Sequence, residues 1–173
     1  LSTATDNRAS VLSGNPASSI QHPATAFAPV MGASGTAFTD SNDAIEYQWA
    51  VVDVNSLNVS NDDSGRINPA YPQELQPRDR TSAASEAQVN DIAKNFNLDR
   101  LSASSSVGDG APIIGQDAVV ESGNGRVMGA RRAHLSKSPH LQVSSSSYRK
   151  TLIARAKEFG LNQEQIGAVP NPV

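Results

Sequence analysis

Residues 121–133 decide the fold, and they run Glu121-Ser122-Gly123-Asn124-Gly125-Arg126-Val127-Met128-Gly129-Ala130-Arg131-Arg132-Ala133. The run Ala118-Val119-Val120-Glu121, with two adjacent valines, predicts a strand that ends at the start of this stretch. The residues 122–125 then predict a turn, and a helix follows from about Arg126 to Leu135. Glycine lets the backbone take a positive φ and lets a ligand approach the main chain closely. The stretch therefore predicts a strand, a glycine turn and an arginine-led helix.

The start of this helix suits an anion such as phosphate, because its first N–H groups are free and the helix dipole is positive there. Arg126 stands at that end, and the side chains of Arg131 and Arg132 can fold back or meet a second anionic group. Glu121 closes the strand, where a carboxylate can hold a divalent ion or act as a base. The alternative is an ordinary Asn-Gly turn with solvated arginines, and the spacing matches neither a Walker loop nor the dinucleotide fingerprint.

A second candidate segment is Gln76-Pro77-Arg78-Asp79-Arg80. Pro77 stiffens the segment, which then presents two arginines separated by one acid. An ion pair between these arginines and Asp79 is the alternative to a ligand site, and the residues alone leave both interpretations open.

Upstream of these segments, residues 45–54 predict a strand with Ile45, Tyr47 and Trp49 on one face. Residues 55–71 predict a loop, because they contain Asn-Asp-Asp-Ser-Gly and Asn-Pro. We expect order to begin at this strand.

Residues 85–97 predict a helix that begins with a capping box between Ser85 and Gln88. One apolar stripe of this helix has the spacing i, i+3, i+4 and i+7, and we interpret it as core packing. The stripe consists of Val89, Ile92, Ala93 and Phe96.

Residues 111–114 predict a short strand that pairs as a hairpin with the strand at 118–121. Further on we expect a Ser-rich loop at 136–147 and a helix from Tyr148 to Phe159, which ends at Gly160. The final elements are a short helix at 162–168, capped by Asn162, and the entry to one more strand at 170–173.

The N-terminal part, residues 1–43, is rich in Ala, Ser, Thr, Gly and Pro and shows no lasting apolar period. We expect it to be largely disordered, with the ordered domain spanning residues 44–173. An extended arm packed on the domain is the alternative. Its apolar contacts would be Phe27, Val30, Met31 and Phe38.

Composition excludes several function classes. The chain has 173 residues and no Cys, which excludes disulfides, thiolate metal sites and a cysteine nucleophile. No apolar run reaches the length of a membrane span, and no signal-peptide pattern is visible, so we expect no membrane partner. A metal hydrolase built on His134 and His140 is disfavoured, because a separation of six residues is not a usual ligand spacing.

The net charge of −3 conceals a polarity along the chain. Residues 1–125 carry 6 basic and 15 acidic side chains, whereas residues 126–173 carry 8 basic and 2 acidic ones. The whole chain is therefore not a general nucleic-acid binder, although its last quarter could face an anion. Mutual neutralisation of the two parts across the fold is the alternative.

The order of these motifs resembles the ParB-like N-terminal domain of the ParB/sulfiredoxin superfamily. The resemblance covers roughly residues 45–135, and residues 110–133 look most like the ddrB-like ParB domains of polyvalent proteins from phages and mobile elements. The residues that carry it are Asn68-Pro69, Gln76-Pro77-Arg78, the helix Val89 to Phe96, Pro112-Ile113-Ile114, Ser122-Gly123-Asn124-Gly125-Arg126 and Ala130-Arg131-Arg132-Ala133.

The resemblance implies an α+β fold with a small mixed β-sheet flanked by helices. It implies that the turn binds the phosphates of a nucleoside triphosphate with Mg²⁺ or Mn²⁺, or those of DNA, and that some relatives are nucleases. The implied catalytic residues are Glu121 and Arg126. The implied phosphate-binding residues are Gln76, Arg78, Ser122, Gly123, Asn124, Gly125, Arg126, Arg131 and Arg132. The implied setting is the cytoplasm of a bacterial host, with other domains of a longer protein and with phage or element DNA, where anti-restriction is a role by analogy.

The turn departs from the family pattern of the segregation proteins, which is Gly-Glu-Arg-Arg. Here it is Gly-Asn-Gly-Arg, so the acid of the turn is missing, and Glu121 occupies a different position. The sulfiredoxin Gly-Cys-His-Arg signature is absent as well. A non-catalytic scaffold or interaction module with a decayed pocket is therefore the alternative function.

Overall fold

The computed structural model describes residues 25–39, 41–102 and 110–173. These residues form an α+β fold, as the sequence predicted. The strands are β1 (Val30–Phe38), β2 (Ala44–Val51), β3 (Ile113–Ile114) and β4 (Val120–Ser122). The helices are α1 (Ala83–Lys94), α2 (Asn124–Leu135), α3 (Pro139–Ala154) and α4 (Gln163–Ala168). Short 3₁₀ turns lie at Val54–Ser56, Gln73–Leu75, Leu98–Arg100 and Ala156–Phe159.

The described strands form two antiparallel pairs, β1 with β2 and β3 with β4. The hairpin predicted from residues 111–121 is β3–β4, in which Ile113 pairs with Ser122. One parallel bridge, between Asn58 and Val119, ties the loop after β2 to the start of β4. The mixed character that the sequence predicted for the sheet is thus confined to this bridge, because β3 and β4 are too short to pair with more than each other.

Strand β1 begins upstream of Ile45, where the sequence analysis expected order to begin. The strand β1 corresponds to the alternative interpretation, an extended arm packed on the domain. It pairs with β2, and the pairing runs from Val30 opposite Val51 to Phe38 opposite Ala44. Its glycines permit close backbone approach: a Cβ on Gly32 would lie 2.3 Å from the carbonyl oxygen of Phe159. A strand that is held by such close approach shows no apolar period, and this explains why the pattern missed it.

Helix α1 begins three residues earlier than the capping-box pattern indicated. Ser82 is the N-cap, and its hydroxyl accepts a hydrogen bond from the N–H of Ser85 at 3.2 Å. The predicted core stripe is confirmed, since Val89 and Ala93 are buried. The small Gly129 of α2 lets α1 pack closely against α2.

The Ser-rich loop predicted for residues 136–147 is wrong over most of its length, because α3 begins at Pro139. Proline at the first helical position is favourable, since its missing N–H has no intrahelical acceptor there. The hydroxyl of Ser144 donates toward the carbonyls of Lys94 and Phe96 at 3.4 and 3.3 Å. Ser144 thus connects α3 to the end of α1, a contact that an apolar periodicity cannot reveal.

The C-terminal residues close back onto β2. Gly160, at φ 65°, ends the turn after α3, and the Asn162 side chain caps α4, as the sequence predicted for both residues. Val173 then exchanges two backbone hydrogen bonds with Val52, at 3.1 and 3.0 Å. None of the helices in the described part of the chain is long and apolar enough to cross a membrane.

Candidate functional site

The turn between β4 and α2 requires glycine for two separate reasons. Gly123 is the N-cap of α2 at φ 84° and ψ 23°, a left-handed conformation that side chains disfavour. A Cβ there would also lie 2.8 Å from Nη2 of Arg126 and 3.0 Å from Cα of Pro112. The carbonyl of Gly123 accepts from the amides of Arg126 and Val127 at 2.8 and 3.0 Å. The amides of Asn124 and Gly125 are the ones that a helix start leaves without an intrahelical acceptor.

Two guanidinium groups lie against this turn. The side chain of Arg126 folds back over Gly123, and its Nε and Nη2 atoms are buried. The Nη1 atom of Arg80 lies 3.4 Å from the point where a Cβ on Gly125 would be, and Nε of Arg80 is buried without a hydrogen-bond partner among the described residues. The start of α2 thus combines two arginines with helix amides that have no intrahelical acceptor.

Arg80 belongs to this candidate site, although the sequence analysis did not select it. A buried side-chain carboxamide, that of Asn61, holds the backbone around it. The Asn61 side chain, 2% exposed, donates to the carbonyls of Gly65 and Arg78 at 2.9 and 2.8 Å. The amide of Arg80 donates to the carbonyl of Gly65 at 2.9 Å. The signal in the sequence was the second arginine of Gln76-Pro77-Arg78-Asp79-Arg80, but the contacts that select it are long-range.

The structure places Gln76 and Arg78, the pair selected from the sequence, with exposed side chains. Gln76 has a φ of 50° and ends the short 3₁₀ turn before this segment. The Asp79 carboxylate forms no ion pair with Arg78 or Arg80, which was the alternative to a ligand site. It accepts instead from the hydroxyl and N–H of Thr81 at 2.6 and 2.8 Å, and these bonds hold the pKa of Asp79 below its usual value.

The Asn124 side chain fixes the turn to the rest of the domain. Its Oδ1 accepts from the N–H of Ser60 at 2.8 Å, and its Nδ2 donates to the carbonyl of Val120 at 3.0 Å. The hydroxyl of Tyr71 donates to the same carbonyl at 2.6 Å. Because the carboxamide is used in this way, the helix-start group that Asn124 could offer to a ligand is its backbone N–H.

Arg131 and Arg132 direct their guanidinium groups to other parts of the protein. Nη2 of Arg131 donates to the carbonyls of Val54 and Leu57, both at 3.2 Å. Burial lowers the pKa of Arg131, and the nearby Asp63 and Asp53 act in the opposite direction. Nη1 of Arg132 donates to Glu86 and to Asn90, both at 2.8 Å. These contacts stabilise the 3₁₀ turn at 54–56 and the packing of α2 on α1.

Glu121 is exposed and faces the turn between β3 and β4. Its Oε1 lies 3.0 Å, and Oδ1 of Asp117 lies 2.6 Å, from the point where a Cβ on Gly115 would be. Ser122 pairs with Ile113 in the hairpin. The structure therefore joins Ser122 to the turn at 123–126 through the strand and places the Glu121 carboxylate near a second acid. Among the described residues, no group of three or more His, Asp or Glu side chains could hold a metal ion.

His134 serves in packing. Its Nε2 lies 2.9 Å from the carbonyl oxygen of Pro172, and its ring contacts Phe96 and Tyr148 edge-on. Burial is the main cause that lowers the pKa of His134. His140 is exposed at the start of α3.

The fold and this turn define a class of protein: an α+β domain in which a glycine-arginine turn links a short hairpin to a buried helix. A family profile described as the ddrB-like ParB superfamily domain matches residues 40–173, and the chain belongs to this superfamily. No curated protein and no solved structure matches the chain significantly.

Proposed function

We propose that this domain binds the phosphate groups of a nucleotide or a nucleic acid at the turn formed by residues 123–126. The observation that carries the proposal is the position of Arg80 and Arg126, whose guanidinium groups lie against Gly125 and Gly123 at the start of α2. Helix amides and arginine forks are the groups that proteins use to bind phosphate oxygens. Membership of the ParB superfamily supports the same ligand class.

Binding is tested by a thermal-shift panel of CTP, ATP, GTP, UTP and short DNA, with and without Mg²⁺ or Mn²⁺. A ligand present at about 100 times its Kd adds about 2.7 kcal/mol to the free energy of unfolding, which gives a clear rise in Tm. We expect Arg126→Ala and Arg80→Ala each to weaken binding about tenfold or more, because a charge-assisted bond is worth about 1.5–3 kcal/mol.

The matched control is Arg100→Ala, since Arg100 is an exposed arginine whose Nη1 pairs with Asp91 at 3.6 Å. This variant should bind as the unmodified protein does. If Arg126→Ala and Arg80→Ala also bind every ligand as the unmodified protein does, the turn is not the phosphate site. Circular dichroism of each variant separates lost binding from lost fold.

Metal-dependent nuclease activity is a second proposal, and it rests on the neighbouring carboxylates of Glu121 and Asp117. Mg²⁺ is usually held by one or two carboxylates together with substrate phosphates, so this pair could hold an ion only with the ligand present. Nicking of supercoiled plasmid with Mg²⁺ or Mn²⁺ tests the activity. We expect Glu121→Gln and Arg126→Ala to abolish it, whereas plasmid that stays intact with the unmodified protein rejects it.

A non-catalytic interaction module is the competing proposal. It is favoured by Asn124, which stands in the turn in place of an acid and whose carboxamide is used within the fold. Under this proposal no nucleotide or DNA raises Tm and no plasmid is nicked. A role with phage or mobile-element DNA in a bacterial cytoplasm depends on the phosphate-binding proposal. The results that reject phosphate binding therefore reject this role as well.

A further inference from the structure

Arg78 and Arg80 stand two residues apart on an extended segment that one buried side chain holds in place. Residues 77–80 belong to no helix, strand or turn, and none of them has a positive φ. Nδ2 of Asn61 donates to the carbonyl of Arg78 at 2.8 Å. The N–H of Arg80 donates at 2.9 Å to the carbonyl of Gly65, which Asn61 also bonds. The backbone of both arginines is therefore fixed by the fold itself.

The side chains of Arg78 and Arg80 share one face of this segment. In an extended chain successive side chains alternate between opposite faces, so residues two apart lie on the same face. By this alternation Asp79 belongs to the opposite face. Its carboxylate accepts from the N–H and the hydroxyl of Thr81 at 2.8 and 2.6 Å. The acid between the two arginines therefore does not neutralise them through an ion pair.

The fold leaves both guanidinium groups available to a ligand. Arg78 is exposed, and its side chain forms no hydrogen bond or ion pair with any described residue. Nε of Arg80 is buried without a hydrogen-bond partner in the described part of the chain, and Nη1 lies against Gly125 of the turn. In contrast, the exposed Arg66 of the preceding loop pairs with Asp62 at 3.3 Å.

The spacing of the two arginines fits successive phosphates of a nucleic-acid strand. Two residues of extended chain advance by about 6.6 Å. The phosphates of one strand follow each other at intervals of about 3.4 Å along a duplex axis, and they lie farther apart along the strand itself. The phosphates of a nucleoside triphosphate are closer, because neighbours share a bridging oxygen. Two long arginine side chains at this separation can each contact a different phosphate of a strand.

We propose that the ligand of this domain is a nucleic-acid strand, with one phosphate at the turn beside Arg80 and the neighbouring phosphodiester on Arg78. This inference rests on the proposed phosphate site and extends it by one contact. Pro77 restricts the backbone before Arg78, so less conformational freedom is lost on binding. Because phosphates carry no sequence information, the strand is bound without selection of its bases.

The probes are thymidine 5′-monophosphate, thymidine 5′-triphosphate and a 5′-phosphorylated thymidine tetranucleotide, which share one base. Calorimetric titration measures their affinities. The tetranucleotide should bind the unmodified protein about tenfold or more tightly than the monophosphate does, because a charge-assisted bond is added. Arg80→Ala should weaken the binding of all three probes. Arg78→Ala should weaken only that of the tetranucleotide, by about tenfold.

The dependence on salt distinguishes a phosphate contact from a change in the fold. Each phosphate contact with a single strand contributes about 0.7 to the slope of log affinity against log salt concentration. Arg78→Ala should reduce the slope for the tetranucleotide by about this amount, whereas Arg78→Lys, which keeps the charge, should retain it. The exposed Arg100, paired with Asp91, supplies the matched control, and Arg100→Ala should change neither affinity nor slope. All of these variants should keep the Tm of the unmodified protein.

Two results would overturn this inference and leave the phosphate site in place. One is a tetranucleotide that binds no more tightly than the mononucleotides, or that binds Arg78→Ala as well as the unmodified protein. The other is an equal loss of triphosphate and tetranucleotide binding in Arg78→Ala, which would place Arg78 in a pocket for a single nucleotide. If neither these probes nor any ligand of the thermal-shift panel binds, the phosphate site itself is rejected, and this inference is rejected with it.

Discussion

The Nη1 atom of Arg80 lies 3.4 Å from the point where a Cβ on Gly125 would be. This is ordinary van der Waals contact, and Gly125 does not have a positive φ. A methyl group therefore fits at Gly125 without strain. It would occupy the space beside the turn that a phosphate needs in order to reach both the helix amides and Arg80.

Gly125→Ala should therefore separate stability from binding. We expect Tm to be equal to or slightly above that of the unmodified protein, because alanine favours helix by up to about 1 kcal/mol over glycine. Nucleotide or DNA affinity should fall about tenfold or more, as a charge-assisted bond is lost. Calorimetric titration and thermal melts check both values, and unchanged affinity at unchanged Tm would place the phosphate elsewhere.

Gly123→Ala should have the opposite pattern, with a large loss of stability. The alanine would have to adopt a left-handed backbone conformation at φ 84°. Its Cβ would lie 3.0 Å from the Cα of Pro112, and this backbone atom cannot move aside as a flexible side chain can. Such strain costs about 1–3 kcal/mol. Urea denaturation of this variant beside Gly125→Ala measures the difference, and equal midpoints for the two variants would contradict the role of the turn.

Asn61→Ala should lower both stability and phosphate binding. The substitution removes the Asn61 donor from the carbonyl of Arg78, which costs about 1–3 kcal/mol. It also removes one of two donors from the carbonyl of Gly65, which keeps the N–H of Arg80, and it loosens the segment that holds Arg80. Asn95→Ala is the matched control, because Asn95 is an exposed asparagine whose amide bonds Asp91 at 2.8 Å. A variant Asn61→Ala that melts earlier but retains full affinity would show that Arg80 does not act in binding.

Arg80 and Asn61 also show where prediction from sequence stops. The β3–β4 hairpin and the entry to α2 depend on neighbouring residues, so their pattern and turn residues predicted them. Arg80 is placed by contacts with Gly65 and Gly125, which lie 15 and 45 positions away in the sequence. Local patterns carry no information about such contacts. The resemblance to the family's Gln-Pro-Arg motif pointed instead to Arg78, whose side chain is exposed.

The N-terminal half of α3 and strand β1 were missed for a related reason. Serine and glycine give weak local signals, and only the tertiary partners show why they fit. Ser144 bonds carbonyls at the end of α1, and Gly35 lies against the ring of Tyr47. In contrast, the caps at Gly160 and Asn162 were predicted, because capping depends on the residue and its immediate neighbours.

A double-mutant cycle on Arg132 and Glu86 separates a structural role from phosphate contact. The Nη1–Oε1 distance is 2.8 Å, and the Arg132 side chain is 23% exposed while that of Glu86 is 53% exposed. We expect a coupling free energy of about 0.5–1 kcal/mol, in the upper range for surface pairs. Binding should be equal in Arg132→Ala and Glu86→Ala. If binding is lost in Arg132→Ala but not in Glu86→Ala, Arg132 contacts the phosphate directly.

Stability should fall as pH is lowered through the titration range of His134. Its folded-state pKa lies below the ordinary value of 6.5, chiefly because the ring is buried. The unfolded chain therefore takes up a proton at a higher pH than the folded chain does, so the stabilisation is complete above about pH 6.5 and declines below it. Melts between about pH 8 and pH 5 should show this decline. It should be preserved in His140→Ala, whose side chain is exposed, and reduced in His134→Gln, which has no group that titrates in this range. A decline of equal size in His134→Gln would assign the pH dependence to other groups.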